Sequence, residues 1–421
     1  MYLNWLLSPE GNIVNIKSKI IETDALIVGA GLSAAACAKR ITDAGYETII
    51  LEKKKLPRHK VCSGILSPRG HRFLIENFGP LPREILHEPT YCRGVAFHFP
   101  SMLSLSMNFD GGPTPHLHRK YSDFWAIQQS NAEVFTETKF MNLRDRGGYV
   151  DVTAKKGGDE ISFRARIVIG ADGPNSRVIR SLYPDYAGRI QWFVVGQKFH
   201  EIIECPLDEE YFHFWLHPGL GFYTWSHKRG NRQIVGVGFP RGENLNKRHQ
   251  RFVRYLENKH GVKLVPADEA EACPENFGLS LINRYVFGKG NVIVTGQAAG
   301  FLNMMAEGMS CALHSGAIAG ESAVEAFRTC KPVQKVYRSM IRSEVERCSD
   351  QWNPFKIAFG RPHEADFCGA LRRLKVKDRF GILREIYGFI SIFSPFGWGR
   401  QIIWQAICRL CLHKYSSHRW Q

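Results

Sequence analysis

Residues 23–53, TDALIVGAGLSAAACAKRITDAGYETIILEK, decide the fold. Ala25 to Val28 form a short apolar run that stops at Gly29, the pattern of a strand buried on both faces. Gly29, Gly31 and Ala34 follow in GxGxxA spacing, and an Ala-rich segment then runs to Asp43 and ends at Gly45, as a helix with a C-terminal glycine does. Glu47 to Leu51 predict a second strand, closed by Glu52. Strand, turn, helix and strand fit within about 30 residues, the context that separates a dinucleotide-binding unit from a bare glycine motif.

Each residue type at that spacing has a physical task. Gly29 permits the tight turn, Gly31 has no side chain to block a pyrophosphate, and Ala34 lets helix and strand approach closely. The helix N-terminus offers unpaired N–H groups and the positive end of its dipole to the phosphates. Glu52, 21 residues beyond Gly31, is placed to accept hydrogen bonds from a ribose diol, and its charge would repel a 2′-phosphate.

A chain built around NAD would continue alternating strand and helix. Residues 132–169 are instead β-rich, with AEVFTETKFMNL, YVDVTAKK and EISFRARIVIGADG separated by turns at Asp145 to Gly148 and Gly157 to Asp159. A hairpin array inserted in a nucleotide-binding lobe points to a flavoprotein. The last strand leads into IVIGADGPNSRVIR, and NVIVTGQAAGFLNMMAEGMSCALHSGAIAGESAVEA downstream supplies another strand, glycine turn and helix.

These three stretches resemble the GxGxxG, GADGxxSxxR and GDAAG motifs of FAD-dependent monooxygenases and reductases with the p-hydroxybenzoate hydroxylase type of fold. The resemblance implies an α/β architecture: a Rossmann-like FAD-binding lobe, a mixed or antiparallel β-sheet substrate lobe, and a helical C-terminal region. It implies FAD contacts for Gly29, Gly31, Ala34, Glu52, Lys53, Arg119, Asp172, Gly296, Gln297, Gly300, Gly308 and Met309. Asp172 would hold the second motif's turn, and Arg119, in HRKYSDFWAI, resembles an arginine that precedes a helix and touches FAD. Gln297 stands where the family has aspartate; a neutral group accepts a weaker hydrogen bond. Asn303 and Met304 replace the usual residues of the next turn, which is one residue shorter before Glu307, Gly308 and Met309.

Within that superfamily, PRHKVCSGILSPRG (57–70) is similar to the PRxKxCGGxLSxR stretch of geranylgeranyl reductases, and HPGLGFYTWSHKRGNRQIVGVGFP (217–240) to their YxWxFP region. Tyr223 and Trp225 match there, whereas His227 and Lys228 replace the FP pair. The WxWxIP segment of flavin halogenases is absent from its expected place. The resemblance implies catalytic roles for Cys62, Tyr223 and Trp225, with Cys62, Ser63 and Gly64 beside the isoalloxazine ring. The implied reaction is reduction of carbon–carbon double bonds in an isoprenoid or similarly apolar substrate, by hydride from N5 of reduced FAD. Aromatic alternation in EEYFHFWLHPGLGFYTW fits sheet core better than a substrate tunnel, and His227 is expected to face solvent. Two rivals stay open: a monooxygenase acting on an aromatic or lipid substrate, and a non-catalytic flavoprotein relative that serves as a binding protein.

The expected organisation is an N-terminal extension (1–21); FAD-lobe segments at 22–90, 116–182 and 289–330; substrate-lobe segments at 91–115 and 183–288; and a helical region at 331–421. With 421 residues, 44% of them apolar, the chain can bury a sizeable core. Eleven irregularly spaced cysteines in a chain without a recognisable leader are expected as free thiols, and the CxxC of Cys408 and Cys411 lacks the second pair that a zinc site needs. No metal is expected. The net charge of +16 invites an anionic partner, but no nucleic-acid module accompanies it. No second GxGxxG is present, so NAD(P)H or a redox protein would dock transiently as electron donor. The chain is expected in the cytoplasm, with Ile402, Ile403, Ala406, Ile407 and Leu410 forming one face of a basic segment suited to peripheral membrane contact.

Overall fold

The computed structural model describes residues 20–98, 104–190, 192–215, 217, 220, 223–267, 269–276, 279–280, 282–303 and 305–352. The N-terminal extension up to residue 19, Met304, the apolar stripe from Ile402 to Leu410 and the Cys408/Cys411 pair lie outside the described residues. The eight described cysteines are unbridged.

The run Ile21–Val28 is the middle strand of a parallel sheet, because a strand whose last four residues are all buried needs neighbours on both edges. On one edge it pairs with Asp159–Gly170, in register from Ile21 opposite Phe163 to Val28 opposite Gly170; on the other it pairs with Thr48–Leu51. Val292–Val294 and Glu133–Phe135 extend the sheet outward, again in parallel, and Gly288–Lys289 closes one edge antiparallel. Asp159–Gly170 does two jobs. Its second half lies in the parallel sheet, while its first half pairs antiparallel with Val150–Lys156, which pairs in turn with Thr138–Asp145. The expected hairpin array is thus continuous with the nucleotide-binding sheet.

Two helices cover this sheet in contact with each other. Leu32–Asp43 lies against Met309–Thr329, and both carry small residues at the crossing. A Cβ on Gly316 would sit 2.2 Å from the Ser33 carbonyl oxygen, and one on Gly320 would sit 2.5 Å from that of Cys37. Glycine one turn apart on one helix therefore meets backbone one turn apart on the other, which sets the distance between the two helices.

The second sheet runs Lys263–Leu264, Phe193–Glu204, Arg232–Pro240, Tyr223–Arg229, Tyr211–Trp215, Gly94–His98 and Ser104–Asn108. Ala270–Glu275 adds to Phe193–Glu204 beside this path. All pairs are antiparallel except Tyr211–Trp215 with Gly94–His98. Helix Leu245–His260 packs Phe252 and Leu256 onto Trp215, Val235, Val237 and Phe239. Within the aromatic stripe Phe214, Trp215 and Trp225 are buried, as expected of sheet core, while Tyr211 and Phe212 are half-buried. After the Met309–Thr329 helix the described chain continues in two short helices, Val333–Met340 and Arg342–Asp350. Among the described residues, no helix is long and apolar enough to cross a membrane.

Gly316→Ala is expected to lower stability by about 1–3 kcal/mol, because the added methyl must push two helices apart; urea denaturation measures it, and an unchanged midpoint would show that the crossing has slack. A second expectation concerns acid. The His213 Nε2–H donates to the Asp208 carbonyl (2.8 Å), so its Nδ1 accepts from His98 Nε2 (2.9 Å), and His98 Nδ1 accepts from the Ser104 hydroxyl (2.7 Å). Protonating His98 would force the Ser104 hydroxyl to turn and accept, and would bury a charge with no carboxylate partner. Burial, with the neighbouring His213 and His260, holds His98 down at about 3. A depressed folded-state value means stability that is complete above the unfolded histidine value of about 6.5 and is lost as pH falls towards 3. Urea midpoints at pH 7.5 and 4.5 should differ, the acidic one being lower.

Candidate active site

The first glycine of the first turn is demanded by contact. Gly29 has φ +101°, and a Cβ there would lie 2.6 Å from the Ala171 carbonyl oxygen. Gly31 is the N-cap of the Leu32–Asp43 helix and brings no side chain to cap it. A Cβ on Gly31 would meet only Arg58 Nη2, at 3.9 Å. The space above this helix N-terminus is therefore open, and its nearest neighbour is a guanidinium, which suits a phosphate. Ala34 is fully buried beneath.

Glu52 is buried at the end of its strand. Its Oε2 accepts from the Ala30 N–H (3.1 Å) and Arg58 Nε (2.9 Å), and its Oε1 accepts from the Lys54 N–H (3.0 Å). A carboxylate offers about four acceptor positions, so one is left for a ribose hydroxyl. Lys53, beside it, is exposed. Arg58 also donates from Nη2 to the Ala30 carbonyl (2.9 Å) and thereby braces the glycine turn.

Arg119 begins the helix Arg119–Gln128 and forms a buried bidentate pair with Asp123, at 2.8 and 3.0 Å. Burial opposes the charge on Asp123, but Arg119, then Arg58 and Lys60, overcome it and hold the carboxyl below its ordinary range. Lys60, exposed to solvent, stands beside this cluster. Arg58, Lys60 and Arg119 thus meet two carboxylates, Glu52 and Asp123, which leaves an excess of positive charge suited to an anionic ligand.

The second and third motifs meet the first at the same edge. Asp172 Oδ2 accepts from the N–H groups of Arg177 (2.6 Å) and Val178 (3.2 Å), at the start of the Arg177–Leu182 helix, while its buried Oδ1 has no hydrogen bond among the described residues. Gly296 has φ +62°, and a Cβ there would touch the Ser33 side chain at 3.0 Å. Gly300 has φ +100° and faces Leu279. Gln297 donates from Nε2 to Glu275, and its backbone carbonyl accepts from Asn276 Nδ2 at 2.8 Å. The shortened loop is internally tied: Asn303 Oδ1 accepts from the N–H groups of Met305 (3.0 Å) and Glu307 (2.9 Å). Glu307 in turn accepts from the Ser310 N–H (2.8 Å), so the helix that follows Gly308, with Met309 buried, has an acidic cap.

Segment 57–70 stands between the two sheets. Gly64 has φ +85°, and a Cβ would lie 2.4 Å from the Leu117 carbonyl oxygen. Arg229 Nη2 donates to the carbonyls of Cys62 (2.7 Å) and Ser63 (2.9 Å), and His116 Nε2 donates to Ser63 O (2.9 Å). The Cys62 thiol accepts from the Gly64 N–H at 3.4 Å and is half-buried. Together with Lys60, His118, Arg119, Phe199 and Arg229 it lines a cavity of about 400 Å³.

Strand Tyr223–Arg229 forms part of the sheet facing that segment. Tyr223 pairs with Gly238 through its backbone; its side chain is outside the described residues. The Trp225 indole lies directly over Gly236, where a Cβ would be 2.0 Å from Cε2. His227 does not face solvent. It is 3% exposed, with its ring 5.4 Å from His116 and 5.3 Å from Phe212, and neither ring nitrogen has a hydrogen bond among the described residues. Strand alternation places it on the same face as Trp225 and Arg229, and that face is covered by the 57–70 segment. Burial, then His116 and Arg229, keeps it neutral.

Sequence reasoning missed Arg58, Lys60, Asp123, Arg229 and Glu275. Arg58 and Lys60 stood inside a quoted motif; Asp123 lies one helical turn after Arg119, the spacing of an ion pair. Glu275 left no local signal, because a strand pairing places it.

No protein-family model matches the chain. The CbrA protein of Escherichia coli is 27% identical over 309 residues, 70% of this chain and 80% of CbrA. A geranylgeranyl bacteriochlorophyll reductase-like protein from Thermoplasma acidophilum superposes with a TM-score of 0.68 at 18% identity, over 90% of this chain and 98% of that one. The flavin-dependent halogenase CmlS gives 0.67 at 15% identity, over 89% of this chain and 72% of its own. The fold is that of the FAD-binding, Rossmann-type flavoproteins.

Asp123→Ala is expected to destabilise the protein by about 3–5 kcal/mol, because it leaves Arg119 buried and unpaired. Urea denaturation tests this; a loss below about 1 kcal/mol would mean that water reaches the guanidinium.

Proposed function

We propose that the chain is an FAD-dependent oxidoreductase of the geranylgeranyl reductase type, reducing carbon–carbon double bonds of an isoprenoid or otherwise apolar substrate. One observation supports this most: three cofactor turns converge at one sheet edge, and the 57–70 segment closes that edge against a second sheet. The cofactor group, when bound and reduced, supplies hydride for one alkene carbon, and a proton must reach the other. Gly31, Ala34 and the helix N-terminus would seat the pyrophosphate, with Arg58 and Arg119 balancing its charge. Glu52 would hold the adenosine ribose. Asp172, Gly296, Gln297 and Gly300 would bound the rest of the cofactor, and Cys62, Ser63 and Gly64 would lie beside its ring.

An alkene has no charge by which to be oriented, so shape and apolar contact must place it. In this reading Cys62 and the strand bearing Tyr223 and Trp225 supply that wall. Electrons come from NAD(P)H or a redox protein that docks transiently. The basic C-terminal segment suits contact with the membrane surface from which a lipid substrate would be drawn.

A second reading is hydroxylation of an aromatic or lipid substrate by the same cofactor. The cationic lining of the cavity favours it, since Lys60, Arg119 and Arg229 match an acidic group better than a bare hydrocarbon.

The purified protein is expected to take up FAD with a flavin absorption spectrum, and Gly31→Glu to lose it, because the new carboxylate would occupy and repel the pyrophosphate. Reduced anaerobically and mixed with a polyprenyl diphosphate or a prenylated lipid, the flavin should reoxidise. Reoxidation only on admitting air favours the hydroxylase. A colourless protein that takes up no FAD leaves a binding protein without flavin chemistry.

A further inference from the structure

The third cofactor turn is held from the opposite lobe. Strand Ala270–Glu275 belongs to the second sheet, where it pairs antiparallel with Phe193–Lys198. Its last residue, Glu275, accepts a hydrogen bond through Oε2 from Gln297 Nε2. The next residue, Asn276, donates from Nδ2 to the Gln297 backbone carbonyl at 2.8 Å and is 1% exposed. Two successive residues of one sheet thus grip both the side chain and the peptide of a single residue in the turn of the other. The second carboxylate oxygen, Oε1, accepts from the Cys273 thiol at 3.1 Å. No described residue donates to Gln297 Oε1.

A carboxylate accepts hydrogen bonds and cannot donate them, whereas a primary amide can do either, depending on which way it is turned. An ionised Glu275 therefore requires the NH₂ of Gln297 and leaves Oε1 as the amide's free end, an acceptor. A protonated Glu275 can donate to Oε1, which lets the amide reverse and offer its NH₂ instead. Burial raises Glu275 to about 7, against the Cys273 hydrogen bond and the Lys60 ammonium, so both forms exist near neutrality. The groups that face it are Cys273 on its own strand, Lys60 on the 57–70 segment, and Gln297 on the turn.

We propose that Glu275 is a positioning residue of the cofactor site: acting across the lobe boundary through Gln297, it decides whether that turn presents an acceptor or a donor to the bound cofactor. This rests on the reading of the site as flavin-binding. A flavin hydroxyl can meet either end of an amide, but the charge-assisted bond to ionised Glu275 fixes Gln297 in the accepting orientation, whereas a neutral Glu275 leaves both orientations open. The contact is therefore preorganised, and cofactor binding tighter, above neutrality than below it.

The test is FAD affinity, read from quenching of flavin fluorescence on titration with the cofactor-free protein at pH 5.5 and 8.5. In the parent, the dissociation constant should be about three- to tenfold larger at pH 5.5, the difference made by one hydrogen bond. Glu275→Gln, which cannot ionise, should show the same constant at both values. Gln297→Leu, which removes the group acted upon, should also lose the difference, and it carries the test should Glu275→Gln fail to fold. An equal constant at both pH values in the parent, or a difference that persists in Glu275→Gln, overturns the assignment. FAD binding by none of the proteins at either pH overturns the flavin reading itself and this assignment with it.

Discussion

The structure depends on a close approach of two turns. Val28 and Gly170 end adjacent parallel strands in register, so the residues that follow them, Gly29 and Ala171, must pass each other backbone to backbone. Only 2.6 Å would separate a Gly29 Cβ from the Ala171 carbonyl oxygen. Glycine at that point allows the two strand ends to stay level. Glu52, at the end of the strand on one side, and Gly296, at the end of the strand on the other, then open onto the same edge. Ligands of open α/β sheets bind in the crevice at the carboxyl ends of the strands, and the three glycine turns of this chain lie there.

The two lobes are joined at this crevice by polar contacts. Arg229 and Gln197 on the second sheet donate to the carbonyl of Cys62, and Glu275 and Asn276 grip Gln297. A hydrogen bond contributes roughly 0.5–1.5 kcal/mol net between neutral groups and about 1.5–3 kcal/mol to a charged one. Their directionality aligns the second sheet with the turns of the first. The apolar cores lie behind them, one around the Leu32–Asp43 and Met309–Thr329 helices and another around Trp215 and Phe252. Asp172 Oδ1 and both ring nitrogens of His227 are buried without a hydrogen bond among the described residues.

Much of the first lobe was legible in the chain. A buried strand, a glycine turn and an Ala-rich helix follow from local pattern, and the hairpins at 138–170 follow from alternation and turn residues, because contacts between near neighbours determine them. The glycines of the three turns were also legible, since their reasons are steric. His227 was misjudged because alternation along a strand tells which residues share a face without telling what covers it. The cover is the 57–70 segment, about 160 residues earlier. Glu275 and Arg229 were invisible for the same reason: pairings in the second sheet bring them to the crevice, and no spacing in the chain encodes that. Small charged clusters were partly legible, as the Arg119–Asp123 pair was available from its one-turn separation.

The central claim is that this crevice seats a flavin dinucleotide along the edge where the three turns meet. A crystal structure of the protein reconstituted with FAD tests it most directly. The account predicts pyrophosphate density over Gly31 between Arg58 and the Asp172 turn, the ribose at Glu52, and the ring beside Cys62 and Gln297. FAD bound elsewhere on the protein, or a crevice that remains empty at saturating FAD, would contradict it.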